Sequence, residues 1–269
     1  MPPPFVARND TLTVAAIALA AMCLVTFAHE AVGHGGVCLG IGGRIVELTS
    51  AVFHCDRPSR WIAPAGPAGN LGVGTLALLL VRWLRPRRPD LGLFLLLVTS
   101  FSYFWEGGYA MHAMLLRDGD LYFAGQDFFG EPSLAWRLAA AASGAALFVA
   151  TAIGTSRFLA AWWPDLREAR RVGRIAWFAA SLGAVLAAVP FVMGHTGAEA
   201  WGDFRDAGLE IGGAALPLLW MPRRAAAVVD PSGAAAPPVR FVARSRPTLI
   251  VALLVYIVFV ATLGRGIGS

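Results

Sequence analysis

Long apolar stretches recur along this chain, and several reach about 20 residues, the length of helix that crosses the hydrocarbon core of a bilayer. Their limits predict seven membrane-spanning helices at about 11–32, 62–84, 92–115, 136–158, 174–194, 206–221 and 248–264. The sixth is the weakest, being short and carrying Glu210 and Pro217, and a re-entrant or tilted segment there would leave six spans. The predicted fold class is therefore an all-α polytopic membrane protein, a single integral membrane domain over 1–269. Composition points the same way. The chain is 57% hydrophobic and 14% charged, whereas a soluble domain carries about 25% charged residues. The net charge of +5 rests on arginine alone, since the chain has no lysine. Arginines confined to a few loops of a hydrophobic chain report topology and anionic lipid, so no nucleic-acid partner is expected.

Orientation follows from where the arginines fall. Arg82, Arg85, Arg87 and Arg88 follow the second predicted span, and Arg157, Arg167, Arg170, Arg171 and Arg174 follow the fourth. Arg223, Arg224, Arg240, Arg244 and Arg246 follow the sixth, in a stretch (225–247) of Ala, Pro, Ser and Arg that reads as a flexible cytoplasmic linker. The opposite connections hold only Arg117, Arg137 and Arg205, and the first loop, with Arg44, Arg57 and Arg60, fits less well. By the positive-inside rule the N-terminus is cytoplasmic. The first segment has a single preceding arginine and no small-x-small site before its polar end, so it is expected to stay in the chain rather than be cleaved as a signal.

The end of that first span carries the chemistry: His29-Glu30-Ala31-Val32-Gly33-His34. Ionisable groups at membrane depth are expensive, and their default reading is functional. A His-Glu pair with a second His one turn later is how a helix presents two zinc ligands and a general base. The spacing is unusual, because His29 and His34 stand five apart. Four steps on a regular helix bring side chains within roughly 40° of each other, but five leave them roughly 140° apart. A π-turn with its i to i+5 bond would realign them, and Gly33 would ease it. Alternatively Glu30 and His34, four apart, are the ligands and His29 stands behind them. A structural or proton-relay pair without metal is the remaining reading.

By the same topology Glu106, His112, Asp118 and Asp120 lie on the side of the membrane that His29 and His34 face. Asp118-Gly119-Asp120 is also an ordinary turn sequence. His54 reads as a loop residue, His195 as interfacial, Glu106 as a bond within the bundle, and Glu210 as the partner of an arginine or the lining of a cavity. Cys38 and Cys55 flank the first loop, where disulfide, free thiols and metal ligation all remain open, and Cys23 lies in an apolar run.

The run His29-Glu30-x-x-Gly33-His34, then Gly42-Gly43-Arg44, then Ala65-Gly66-Pro67-Ala68-Gly69-Asn70 at the start of the next span, resembles the site-2 protease family of intramembrane zinc metalloproteases, in particular its small bacterial members. The likeness covers residues 25–80 and extends weakly to Asp118-Gly119-Asp120. It implies Zn2+ held by His29 and His34, Glu30 as the base, Asn70 lining the substrate site, and a third ligand from Asp120, with Asp118 or His112 as lesser candidates. The family motif puts two residues between Glu and the second His where this chain has three. The resemblance further implies a catalytic core over about 11–125 with accessory helices over about 134–264. It implies a membrane-embedded protein or peptide as substrate, a strand edge beginning in Gly40–Arg44, and a place in the bacterial inner membrane; the arginine distribution, separately, puts the site toward the outer leaflet. Two other functions fit the residues: a seven-span zinc hydrolase of a lipid amide, ceramidase-like, and a non-enzymatic transporter or scaffold that binds no metal.

Overall fold

A computed structural model of the chain describes residues 8–84, 88–163, 165–194, 198–220 and 241–268. Helix α1 (Thr11–Phe27) begins where the Asp10 carboxylate accepts from the Thr13 N–H at 2.8 Å, satisfying one of the free donors of the first turn. It is apolar on all sides, as a helix buried in a bundle must be. It continues without a break through a π-helical segment (Ala28–Gly35) and α2 (Gly36–Gly40), so one apolar rod runs from Thr11 to Gly40.

After α2 the chain forms a small antiparallel hairpin, β1 (Ile45–Leu48) and β2 (Phe53–Cys55), in the register Ile45↔Cys55, Glu47↔His54 and Leu48↔Phe53. Thr49 closes its turn by accepting from the Ala51 and Val52 N–H groups at 3.1 and 2.8 Å. Three ties hold the hairpin in place, the first of them to α2. Cys38 and Cys55 form a disulfide. The Arg44 N–H and Nε donate to Asp56 at 2.7 and 2.9 Å, which holds that exposed carboxyl below the usual range. On the outer edge of β1, Leu48 exchanges two backbone hydrogen bonds with Ile267, at 3.0 and 2.9 Å. The strand edge expected in Gly40–Arg44 thus begins slightly later, because those residues end α2 and turn.

The remaining elements are α3 (Ile62–Leu84), α4 (Pro89–Leu116), α5 (Asp120–Phe129), α6 (Leu134–Trp162), α7 (Leu166–Gly194), α8 (Ala198–Gly208), a π-helical segment Leu209–Gly213, a 3-10 turn Leu216–Leu219, and α9 (Arg246–Ala261). Helix α4 is the most buried of the long helices and the central post; α3 and α6 pack against it, while α1 packs against α4, α7 and α9.

Among the described residues five helices are long and apolar enough to span a membrane, Thr11–Gly40, Ile62–Val81, Pro89–Leu116, Leu134–Trp162 and Leu166–Gly194, with α9 a shorter apolar helix. The all-α membrane architecture is as expected, but the segment expected at 206–221 is not a crossing helix. Gly208, Gly212, Gly213 and Pro217 fall within a few residues there, and glycine and proline both disfavour regular helix. The chain passes instead from α8 through the π-helical and 3-10 turns, held to α7 by the Trp177 Nε1–H donating to the Gly212 carbonyl at 2.8 Å. Most of the linker expected at 225–247 lies outside the described residues. Its end is fastened: Val242 N–H donates to Asn9 Oδ1, and the Asp10 N–H to the Val242 carbonyl, both at 2.8 Å.

Candidate metal centre

The polar end of the first span is where the helix departs from regularity. Ala28–Gly35 is π-helical, so His29 and His34 fall on the same side despite their five-residue spacing. Their ring centroids are 5.0 Å apart. Their Nε2 atoms lie 3.1 and 3.2 Å from a single oxygen, Asp120 Oδ2. Of the two readings the spacing left open, the structure therefore pairs His34 with His29 rather than with Glu30.

Close backbone packing builds the floor of this site. Helix α3 lies along the π-helical segment, and a Cβ at Gly33 would stand 2.5 Å from the Ala65 carbonyl oxygen. A Cβ at Gly66 would strike both imidazoles, at 2.6 Å from His29 Nε2. The glycines of the Ala65–Asn70 run are thus what lets the second span come against the histidines.

Each imidazole is held by its other nitrogen. His34 Nδ1 lies 2.7 Å from the Ile62 carbonyl, which only accepts, so Nδ1–H donates and the Nε2 lone pair is left free. His29 Nδ1 lies 3.1 Å from Glu106 Oε1 on α4, which gives that ring the same tautomer. Trp105 stacks on His29 with centroids 4.6 Å apart, and Phe53 of β2 stacks on His34 at 5.6 Å. Asp120 is placed by the start of α5, where its N–H donates to the Tyr109 hydroxyl at 3.1 Å. The preceding Gly119 has φ +88°, and a Cβ there would meet that hydroxyl, so the turn into α5 needs glycine.

His29, His34 and Asp120 form a group able to hold a metal ion. The donor set fits zinc, which takes imidazole nitrogen and carboxylate oxygen at about 2.0–2.2 Å; tetrahedral angles then put neighbouring donors roughly 3.3 Å apart. The observed nitrogen–oxygen separations of 3.1 and 3.2 Å are close to that edge. The donor chemistry leaves other imidazole-binding metals open.

Glu30 is buried beside the two histidines and lines, with them and Asp120, a cavity of about 330 Å3. Phe53, His54 and Cys55 of β2 form one wall of it, and Tyr109 and Glu210 border it from α4 and the second π-helical segment. Other expected residues stand elsewhere. Asn70 is fully buried and does not line the cavity: its Nδ2 donates to Glu106 at 2.8 Å and lies 3.2 Å from His29 Nδ1. It sits behind His29, not at the substrate wall, because α3 turns that face toward α4. Asp118 is exposed and accepts from the Gly119 N–H at 2.8 Å, and exposed His112 stacks on Tyr109 at 6.3 Å; neither joins the group. His54 pairs with Glu47 at 2.8 Å on the cavity rim. The disulfide removes Cys38 and Cys55 as ligands, and Cys23 is buried and free. His195 lies outside the described residues.

Two supports escaped the sequence reading. Glu106 was visible as a polar residue in an apolar helix, but not as the partner of His29, and Tyr109, one turn further along α4, carried no signal. Comparison with protein-family models, with curated proteins and with solved structures finds no match.

Proposed function

We propose that the chain is a zinc-dependent intramembrane metalloprotease of the site-2 protease kind, cutting a peptide bond within or next to the bilayer. One observation carries the reading: two imidazole Nε2 atoms, each with its Nδ1 engaged, converge with one carboxylate oxygen at the edge of a cavity that also holds a free carboxylate, Glu30. A structural or proton-relay pair would not need that geometry on both rings.

A zinc ion at His29, His34 and Asp120 would supply a nucleophile at neutral pH and polarise the substrate carbonyl. Glu30 takes the proton released as water attacks that carbonyl and passes it to the leaving nitrogen. The Glu106 carboxylate and the Ile62 carbonyl hold the histidine rings in their donating tautomer throughout. Trp105 and Phe53 stacked on the rings keep their planes fixed. A lipid-amide hydrolase would use the same donors. The peptide reading is favoured by β2, which borders the cavity and pairs with a strand on one side only among the described residues, so that an extended segment has an edge to lie against. The Cys38–Cys55 disulfide, native to oxidising compartments, supports placing the site on the outer side of a bacterial inner membrane, as the arginine distribution does.

The test is metal content of detergent-purified wild type beside His34→Ala and Asp120→Ala. About one zinc per chain, lost in both variants, followed by cleavage of membrane peptides by the wild type and not by Glu30→Gln, is the expected result. A folded wild type that takes up no zinc on reconstitution would overturn the hydrolytic reading.

A further inference from the structure

Glu210 is an ionisable side chain that this chemistry leaves unused. It lies in the second π-helical segment, Leu209–Gly213, and π-turns gather at functional positions. The turn is fixed from outside by Trp177, whose indole N–H donates to Gly212 O at 2.8 Å, and from within by the Ala214 N–H bonding Leu209 O at 3.0 Å. So braced, the accessory half of the chain brings Glu210 to the cavity of His29, Glu30, His34 and Asp120.

Glu210 has no hydrogen bond or ion pair among the described residues. Among the charged groups near it are Glu30, His29, Asp206 and Asp120. Asp206 already pairs with Arg205 at 2.8 Å. Arg57, the arginine that lines the cavity, turns its Nη1 to the Ile41 carbonyl at 3.3 Å. A zinc ion's two charges would already face three carboxyl groups, Asp120, Glu30 and Glu106, before Glu210 is counted. Glu210 is a half-buried carboxylate that lines the cavity without a partner, and the missing partner is the group the cavity would gain by taking.

We propose that Glu210 is a specificity residue that pairs with a lysine or arginine side chain of the substrate, so that the cavity selects peptides with a basic residue next to the bond to be cut. The inference rests on the hydrolytic reading above. Membrane segments carry such residues near their ends, where the long side chain reaches the interface, and the cavity lies at the end of the α1 rod.

The test uses full-length Glu30→Gln protein, zinc-loaded in detergent, and three fluorescent membrane-spanning peptides that differ only by lysine, norleucine or glutamate at one position, scanned along the segment. Binding is read by anisotropy. The lysine peptide binds about tenfold more tightly at one position, the preference vanishes when Glu210→Gln is added, and Glu210→Lys favours the matching glutamate peptide over the lysine one. Unchanged zinc content in the Glu210 variants shows that the site is still folded. Equal binding of the lysine and norleucine peptides at every position, or a preference that survives Glu210→Gln, overturns the inference and leaves the hydrolytic reading standing. A zinc-loaded protein that binds no peptide overturns both.

Discussion

At the scale of single residues the most consequential contact joins positions 77 apart in sequence. Glu106 reaches across from α4 to hold His29 Nδ1 and at the same time accepts from Asn70, while its second oxygen has no partner. Replacing such an orienting carboxylate commonly weakens metal binding about 10–100-fold. Glu106→Gln should therefore retain one zinc per chain at saturation but yield it to a competing chelator at correspondingly lower chelator concentration. An unchanged competition curve would mean that Glu106 only fills space. His29, Glu30, His34 and Asp120 were legible in the sequence because such groups are rare beside apolar helices, and a family likeness supplied Asp120. The contact between Glu106 and His29 was not legible, because it depends on how α1 and α4 are turned about their own axes, and no local pattern records that. Asn70 shows the converse. Its residue type and its place in the Ala65–Asn70 run suggested a role at the wall, but rotation of α3 put it behind His29.

Among the elements, the π-helical segment Ala28–Gly35 makes the clearest prediction. A π-turn absorbs one extra residue without turning the helix on either side out of register. Deleting Val32, whose side chain is exposed, should return the segment to regular helix with the two histidines four apart and still on one face. We expect the deletion variant to keep about one zinc per chain and an unchanged far-ultraviolet circular dichroism spectrum. Loss of zinc with retained helicity would show that the π geometry itself sets the ligand angles. Here the sequence was informative: an i, i+5 histidine pair has few ways to converge, and the π-turn was one of them. The segment at 206–221 was partly so: its shortness, Glu210 and Pro217 already marked it as the weakest span and a re-entrant candidate, whereas Gly208, Gly212 and Gly213, which help break the helix before it can cross, leave little mark on hydropathy.

For the whole molecule, the long helices leave large apolar side chains facing outward, among them Leu138 and Ile153 on α6 and Ile250, Leu254 and Val258 on α9, as lipid requires. The site residues gather at one end of this bundle, and the buried knot of Asn9, Glu168 and Arg171 ties the start of α1 to the start of α7. The arginine-rich start of α7 and the first loop should accordingly face opposite compartments. In intact spheroplasts a membrane-impermeant maleimide should label Pro58→Cys at once and Arg167→Cys only after lysis. The reverse pattern would turn the molecule over and put the site on the cytoplasmic side.

The placement of the three donors along the chain also has a consequence for biogenesis. His29 and His34 leave the ribosome on the first hydrophobic helix, while Asp120 follows only after α3 and α4. A nascent chain thus carries both imidazoles into the bilayer before any carboxylate stands across from them. The centre closes only when the third long helix has been threaded and α5 has folded back beneath it. If the group takes up a metal, uptake on this geometry would be a late event that certifies correct insertion, and a chain arrested after α3 would be an unfinished chelate rather than a weak one.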